Sequence, residues 1–397
     1  MACIVLAGAL LLCCPGAFAL DAALDVSQYA HTAWKVREGF FKSGIGSIAQ
    51  TPDGYLWLAT EFGLLRFDSV RAVPWQPPAG QHLPSDYIMR LLVTREGTLW
   101  IGTLKGLASW KDGKLTQYAE LDGRYIYALL EDREGALWAG GFADPTGRLC
   151  AIRNANVECF GDDGSLGRGA FNLYEDSNGN LWAGVKDGLW RWRPGPPKFY
   201  SLPGNVNGIQ ALGEDADGTL LVGWKGGIYR FVDGKTEAYS LPGLTRQFSA
   251  KRMLRDRDGG LWIGTIGQGL VHVHQGRTDV FAQSDNLSGE VGGLFQDREG
   301  TIWVGTFGGL DRFRDFAVAT FTGKQGLLHY SVAFALAAKD GSIWLATPAG
   351  LNRWTGGQMA SLGKQDKKLN GHIPHSLFQD SRGRCRCHPP RPRRCCR

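Results

Sequence analysis

Polar turns and apolar runs alternate along this chain on a long beat. Eight times between Gly54 and Trp354 a turn ends in Gly, runs through x-(Leu/Ile)-Trp and a small residue, and reaches Gly-Leu before an aromatic residue or Arg. The copies read GYLWLATEFGLLRF from Gly54, GTLWIGTLKGLASW from Gly97, GALWAGGF from Gly135 and GNLWAGVKDGLWRW from Gly179. They continue as GTLLVGWKGGIYRF from Gly218, GGLWIGTIGQGLVHV from Gly259, GTIWVGTFGGLDRF from Gly300 and GSIWLATPAGLNRW from Gly341. In LWIGT the pleat sends Leu and Ile to one face and Trp to the other, so both faces are apolar and the strand is covered on both sides. Upstream runs such as Tyr125 to Glu131 predict an innermost strand, and Gly-Leu-x-x-Phe/Trp predicts a third. The turns Asp112-Gly113, Asp233-Gly234 and Gln275-Gly276 then predict a two-residue hairpin to a fourth.

Trp57, Trp100, Trp138, Trp182, Leu221 (in place of Trp), Trp262, Trp303 and Trp344 are spaced 43, 38, 44, 39, 41, 41 and 41 residues apart. A period near forty with four short strands per unit predicts an all-β fold, a β-propeller of four-stranded blades. An ordinary β-sandwich would not hold register over so many copies. Two residues after each Trp position stands Gly or Ala (Ala59, Gly102, Gly140, Gly184, Gly223, Gly264, Gly305, Ala346), leaving room for a large group from the adjacent blade. Seven blades are expected, with the eighth repeat beginning a second propeller; eight blades is the alternative. His31 to Val36 is expected to close the ring as the outer strand of the last blade.

Composition fits one repeat array, about eight full repeats plus a partial ninth over residues 25–383: 397 residues, 56 Gly, 14 Trp and 21% charged residues. Residues 1–19 read as a secretory signal, an apolar run closed by Ala17-Phe18-Ala19, although a basic start is missing. The net charge of +6 sits in the tail, since 384–397 holds six of the 44 basic residues and no acid, leaving 38 against 38 acidic ones. A neutral array has no general footprint for phosphate backbones, so nucleic acid is not an expected partner. That tail, with Cys385, Cys387, Cys395 and Cys396, interrupts a ninth repeat where Leu and Trp would fall at Cys385 and Arg386. It reads as the frameshifted, disordered end of a longer protein rather than as a zinc site.

Candidate chemistry is sparse. Placing Asn154-Ala155 at a hairpin turn sets Cys150 opposite Cys159, in a non-hydrogen-bonded pair with Cα atoms about 4.5 Å apart, which suits a disulfide; two reduced thiols are the alternative. The repeated turn acids Asp132, Asp176, Asp215, Asp256, Asp297 and Asp380 are expected to accept backbone N–H bonds rather than to catalyse. His272 and His274 alternate on one strand and read as solvated surface rather than as metal ligands, so no metal or other cofactor is expected. No nucleophile elbow, zinc-binding HExxH or phosphate loop is present. Function in this fold sits on loops around the channel. Those entering the inner strand carry Tyr87, Tyr125, Arg168, Phe248 and Tyr330, and those after the Trp strand carry Phe142, Trp224, Lys225 and Phe307. Aromatics with scattered cations suit a sugar or another small polar-apolar ligand.

The motif D-x-x-G-x-L-W-I-G-T-x-x-G-L and the opening SQYAHTAWKVREGF from Ser27 resemble the two-component regulator propeller family. The resemblance implies a periplasmic sensor region of a bacterial histidine kinase or diguanylate cyclase, anchored in the inner membrane and signalling through output domains that follow. It implies two seven-bladed propellers in series, with homodimerisation through the C-terminal region. Three readings follow: a ligand-sensing input module for a small molecule or oligosaccharide with no catalysis of its own, a scaffold for protein partners, and a propeller lyase or hydrolase.

Overall fold

Among the described residues of the computed structural model the strands form eight four-stranded antiparallel sheets and one two-stranded hairpin. The structure describes residues 24–154, 156–203, 208–244, 248–314, 321–355, 358–363, 369, 376–380 and, for the backbone, 385–388; the expected signal at 1–19 lies outside these. The chain divides into two compact units, one of residues 30–315 with 1–20, the other of 21–29 with 316–397.

In the first unit each repeat is one blade. The inner strands are Ser47–Gln50, Ile88–Val93, Tyr125–Glu131, Asn172–Glu175, Ala211–Glu214, Ser249–Arg255 and Val291–Gln296. Each packs on the next, and Val291–Gln296 packs on Ser47–Gln50, so the ring closes at seven. The seventh blade takes its outer strand from the start of the unit: Ala30–Lys35 pairs antiparallel with Gly309–Arg314, from Ala30 opposite Arg314 to Lys35 opposite Gly309. That strand joins both ends of the ring in one sheet.

The Trp strands explain why the blades stack. Leu56–Thr60, Leu99–Thr103 and Ile302–Thr306 are buried at every position. The small residue two after Trp makes way for a residue, often β-branched, at or just before the start of the next inner strand. A Cβ on Gly102 would lie 2.7 Å from Ile126, one on Gly184 2.8 Å from Ile209, and one on Gly264 2.5 Å from Val291. Such spacings are too short for any contact, so a methyl group there would push the blades apart.

Turn acids hold five of the seven blades at the other end; in the first two, Thr51 and Thr94 take that position, and the Trp57 indole donates to the Thr51 hydroxyl at 2.9 Å. Asp132 accepts N–H bonds from Glu134 and Ala136 on one oxygen and from the Trp138 indole, at 2.8 Å, on the other. Asp176 with Trp182, Asp256 with Trp262 and Asp297 with Trp303 repeat the indole bond at 2.7 Å. Where Leu221 replaces Trp, Asp215 turns instead to Arg230 and the Tyr239 hydroxyl. Neighbouring turns are also clasped. The backbone N–H after the turn acid donates to a Glu or Gln at the end of the next inner strand: Arg133 to Glu175, Ser177 to Glu214, Arg257 to Gln296, and Arg298 to Gln50 across the ring closure.

The second unit holds the eighth sheet, Phe334–Ala337, Ile343–Thr347, Gly350–Thr355 and Gln358–Gly363, with a hairpin of Ser376–Gln379 and Cys385–His388. Lys339 donates to Gln379 in the same clasp. The expectation of disorder from residue 384 is corrected at 385–388, whose backbone pairs with the ninth repeat's inner strand. There, residues of unlike composition take the place of the expected Leu-Trp strand; the rest of the tail lies outside the described residues.

Candidate functional site

Antiparallel pairing puts the start of each inner strand opposite the end of its Trp strand, so two sets of loops gather at one end of the ring. Tyr125 lies opposite Phe142, Val291 opposite Thr306 and Ser249 opposite Ile266. At that end Tyr125 stacks on Phe142 with ring centroids 6.0 Å apart, and the Arg168 guanidinium lies over Phe142 at 4.8 Å while pairing with Asp144 at 3.2 Å. Two residues that the sequence did not single out complete the cluster. Tyr127 meets Phe142 at 5.5 Å, and Phe171 meets both Phe142, at 5.4 Å, and Tyr127, at 5.7 Å. Burial raises the Tyr127 hydroxyl above its ordinary pKa, with Tyr87 and Tyr125 close enough to add to the effect. Tyr127 falls where the register shifts between Ile126 and Ala128, a bulge that re-aims its side chain. The Tyr125-Ile126-Tyr127 alternation was the available signal.

Tyr87 and Tyr125 keep much of their surface in solvent, as does Phe307, over which the Lys251 ammonium sits at 4.7 Å while pairing with Glu290 at 2.8 Å. Lys225 is exposed and Phe248 half-buried at the same end of the ring. Two candidates are corrected. Trp224 is 6% exposed and stacked on Tyr229 with centroids 3.9 Å apart; its side chain folds onto the blade as part of the core instead of facing the rim. Tyr330 is highly exposed but belongs to the second unit, after the ring has closed, so it is not one of this ring's loop residues.

Cys150 and Cys159 face each other in register and are disulfide-bonded, with Cα atoms 4.1 Å apart. His272 and His274 correct the expectation of solvated surface, being 2% and 5% exposed. His272 stacks on Trp262 at 4.0 Å and on His274 at 4.3 Å, and His274 bonds Asp279 at 2.7 Å. The signal was in the repeat: opposite Trp303 and Trp344 the third strand places Arg312 and Arg353, whose guanidiniums cover the indoles at 5.6 and 5.2 Å, and His272 holds that position opposite Trp262. With Asp279, these histidines put three potential ligand atoms within 4.8 Å of one another. The two imidazoles are near-parallel, at 12°, so their nitrogen lone pairs run side by side rather than converging on one ion.

The description two component regulator propeller belongs to the family model that matches residues 82–105, 120–143, 244–267 and 287–308. No curated protein matches the chain. Among solved structures it is similar to the extracellular domain of a protein described as a hybrid two component system from B. thetaiotaomicron, at 18% identity and a TM-score of 0.65, over 91% of this chain and 52% of that one. A second such domain from the same organism gives 18%, 0.58, 91% and 51%. The chain thus spans about half the length of these relatives. Virginiamycin B lyase from Staphylococcus aureus, in a catalytically inactive form with quinupristin, gives 14% and 0.58 over 72% of this chain and all of that one. At these identities the likeness is one of fold.

Proposed function

We propose that this propeller of the two component regulator type is the extracytoplasmic input domain of a signalling protein and takes its ligand on the loop end of the seven-bladed ring. The observation that carries the reading is the aromatic cluster there: Tyr125 and Phe142 stacked, Tyr127 and Phe171 beneath, Arg168 above and Tyr87 beside it, with the outer rings open to solvent. Flat apolar faces bordered by hydroxyls and one cation suit a sugar ring, whose C–H face packs on an aromatic while its hydroxyls find polar partners. A neutral oligosaccharide is therefore the ligand class proposed, and binding without turnover the activity. The extracellular origin of the structural neighbours supports an extracytoplasmic setting.

Calorimetric titration of the chain with a panel of neutral oligosaccharides tests this. At least one should bind saturably, and Tyr125→Ala should weaken it by roughly tenfold or more, the effect of about 1.4 kcal/mol. A panel whose every hit binds Tyr125→Ala as tightly as the parent removes the cluster from the site. Steady product formation would make the protein an enzyme.

A further inference from the structure

At one level of the central channel the seven inner strands contribute one residue each, the one opposite the small residue of the Trp strand. In ring order these are Ser47, Arg90, Ala128, Asn172, Ala211, Arg252 and Gly293, paired with Ala59, Gly102, Gly140, Gly184, Gly223, Gly264 and Gly305. The four polar members, Ser47, Arg90, Asn172 and Arg252, line a cavity of about 560 Å³ in the channel.

Of the four arginines in its lining, Arg255 donates to the carbonyls of Glu214 and Gly259 and Arg298 to Gln50 and the carbonyls of Thr51 and Pro52, whereas Arg90 and Arg252, the two at this level, have no ion-pair partner among the described residues. Arg252 donates to the Lys251 carbonyl at 2.7 Å and towards that of Gln210 at 3.4 Å, the carbonyl that the Asn172 amide also bonds at 2.6 Å. Its Nε is buried without a hydrogen-bond partner. Arg90 makes no hydrogen bond or ion pair with any described residue. Of the cavity's described lining only Glu214 is a carboxylate, and it is engaged by the Ser177 N–H and hydroxyl and by the Tyr174 hydroxyl. Burial lowers Arg90 to about 10, and burial together with the charge of Arg90 lowers Arg252 well below its ordinary range; no acid offsets either shift. A guanidinium at about 10 is still charged at neutral pH. Two like charges thus share a confined space, an arrangement that is costly unless an anion joins them.

We infer that the channel holds an oxyanion-binding site in which Arg90 and Arg252 grip a carboxylate, phosphate or sulfate group of a small acid, with Asn172 and Ser47 at its margin. The planar guanidinium fork offers paired N–H donors matched to two oxygens of such a group. A cavity of this size admits a small organic acid or a phosphorylated or sulfated small molecule. The site is independent of the aromatic loop end and does not require a sensing role.

Thermal melting and calorimetric titration of the full chain test it, with chloride replaced at constant ionic strength by sulfate, phosphate or citrate. The parent should gain stability and give saturable heat with at least one of them, and the tightest of the three names the group. Sulfate also stabilises folded proteins nonspecifically, so the variants decide. Arg90→Gln and Arg252→Gln should each lose the specific gain and bind roughly tenfold more weakly or worse, and in chloride alone should melt no lower than the parent. Arg252→Lys, which keeps the charge without the fork, should fall between. Equal oxyanion gains in parent and variants overturn the site, and so does a parent that gives no saturable heat with any of the three. If a variant fails to fold, the parent titration alone decides. Neutral-oligosaccharide binding should be unchanged in Arg90→Gln, so failure here and failure of the loop-end reading are separate results.

Discussion

Asp297 has both oxygens occupied by donors of its own blade, the Thr301 N–H at 2.8 Å and the Trp303 indole at 2.7 Å, in a site where burial raises its pKa. Asp297→Ala strands two buried donors, each costing about 1–3 kcal/mol when left unpaired. The substitution should lower stability by roughly 2–4 kcal/mol in a denaturant melt, several times the loss from removing an exposed acid such as Glu61. His272 makes the opposite demand on protons. Burial holds its imidazole below the ordinary 6.5, with the charge of His274 adding to the lowering and the Asp256 carboxylate, 3.7 Å away, opposing it. The unfolded chain therefore binds a proton near pH 6.5 that the folded chain does not. The contribution to stability is complete above that pH and is lost as pH falls towards the folded value. Melting temperature should drop on acidification from about pH 7 to 5.5, and His272→Phe, which keeps a ring on Trp262, should reduce that slope.

At the scale of the element, the Trp strand is the unit that joins blades. Trp262 is fully buried and Trp303 nearly so; replacing either by Ala should cost about 3–5 kcal/mol, read from equilibrium unfolding. An unchanged melt for both would mean that these rings are not inter-blade core. Much of this element was legible beforehand because its determinants are local and repeated: the pleat of LWIGT, the small residue two places on, and the Asp112-Gly113 turn, whose positive φ angles of 48° and 81° suit a two-residue hairpin. Single departures from the repeat were harder to read. Trp224 looked like a rim residue because it replaces Thr, yet its ring found Tyr229 five positions on. His272 looked exposed because alternation along a single strand does not report that its ring would stack between Trp262 and His274. The loop-end cluster was half legible: Tyr125, Phe142 and Arg168 could be placed by counting, whereas the alternation that put Tyr127 on the face of Tyr125 did not show the bulge between Ile126 and Ala128 that brings its ring to Phe142.

For the whole ring, closure rests on a strand from one end of the unit and a clasp from the other. A chain shortened to begin at Gly39 lacks Ala30–Lys35 and exposes the Gly309–Arg314 edge. It should melt at lower temperature and self-associate in sedimentation experiments, since an unpaired edge strand is a template for another chain. A chain shortened only to Leu24 should do neither. The disulfide between Cys150 and Cys159 lies inside one blade and encloses a short loop. Reducing it should therefore cost no more than about 2 kcal/mol and leave the ring closed, as seen by an unchanged hydrodynamic radius.

The clasp between turns has a directional consequence. At five of the seven joints of the ring a turn offers a backbone N–H forward and the next inner strand a side-chain oxygen backward, as Arg95 does to Glu131, Arg133 to Glu175 and Arg298 to Gln50, and Lys339 does so to Gln379 in the second unit. Any run of these repeats is therefore polar, like a row of hooks and eyes with one hook and one eye left over. No single joint encodes the number seven; that number is where accumulated rotation brings the last hook within reach of the first eye. Excising one internal repeat would leave complementary ends facing each other across a gap, and a second chain excised in the same way would carry the ends to bridge it.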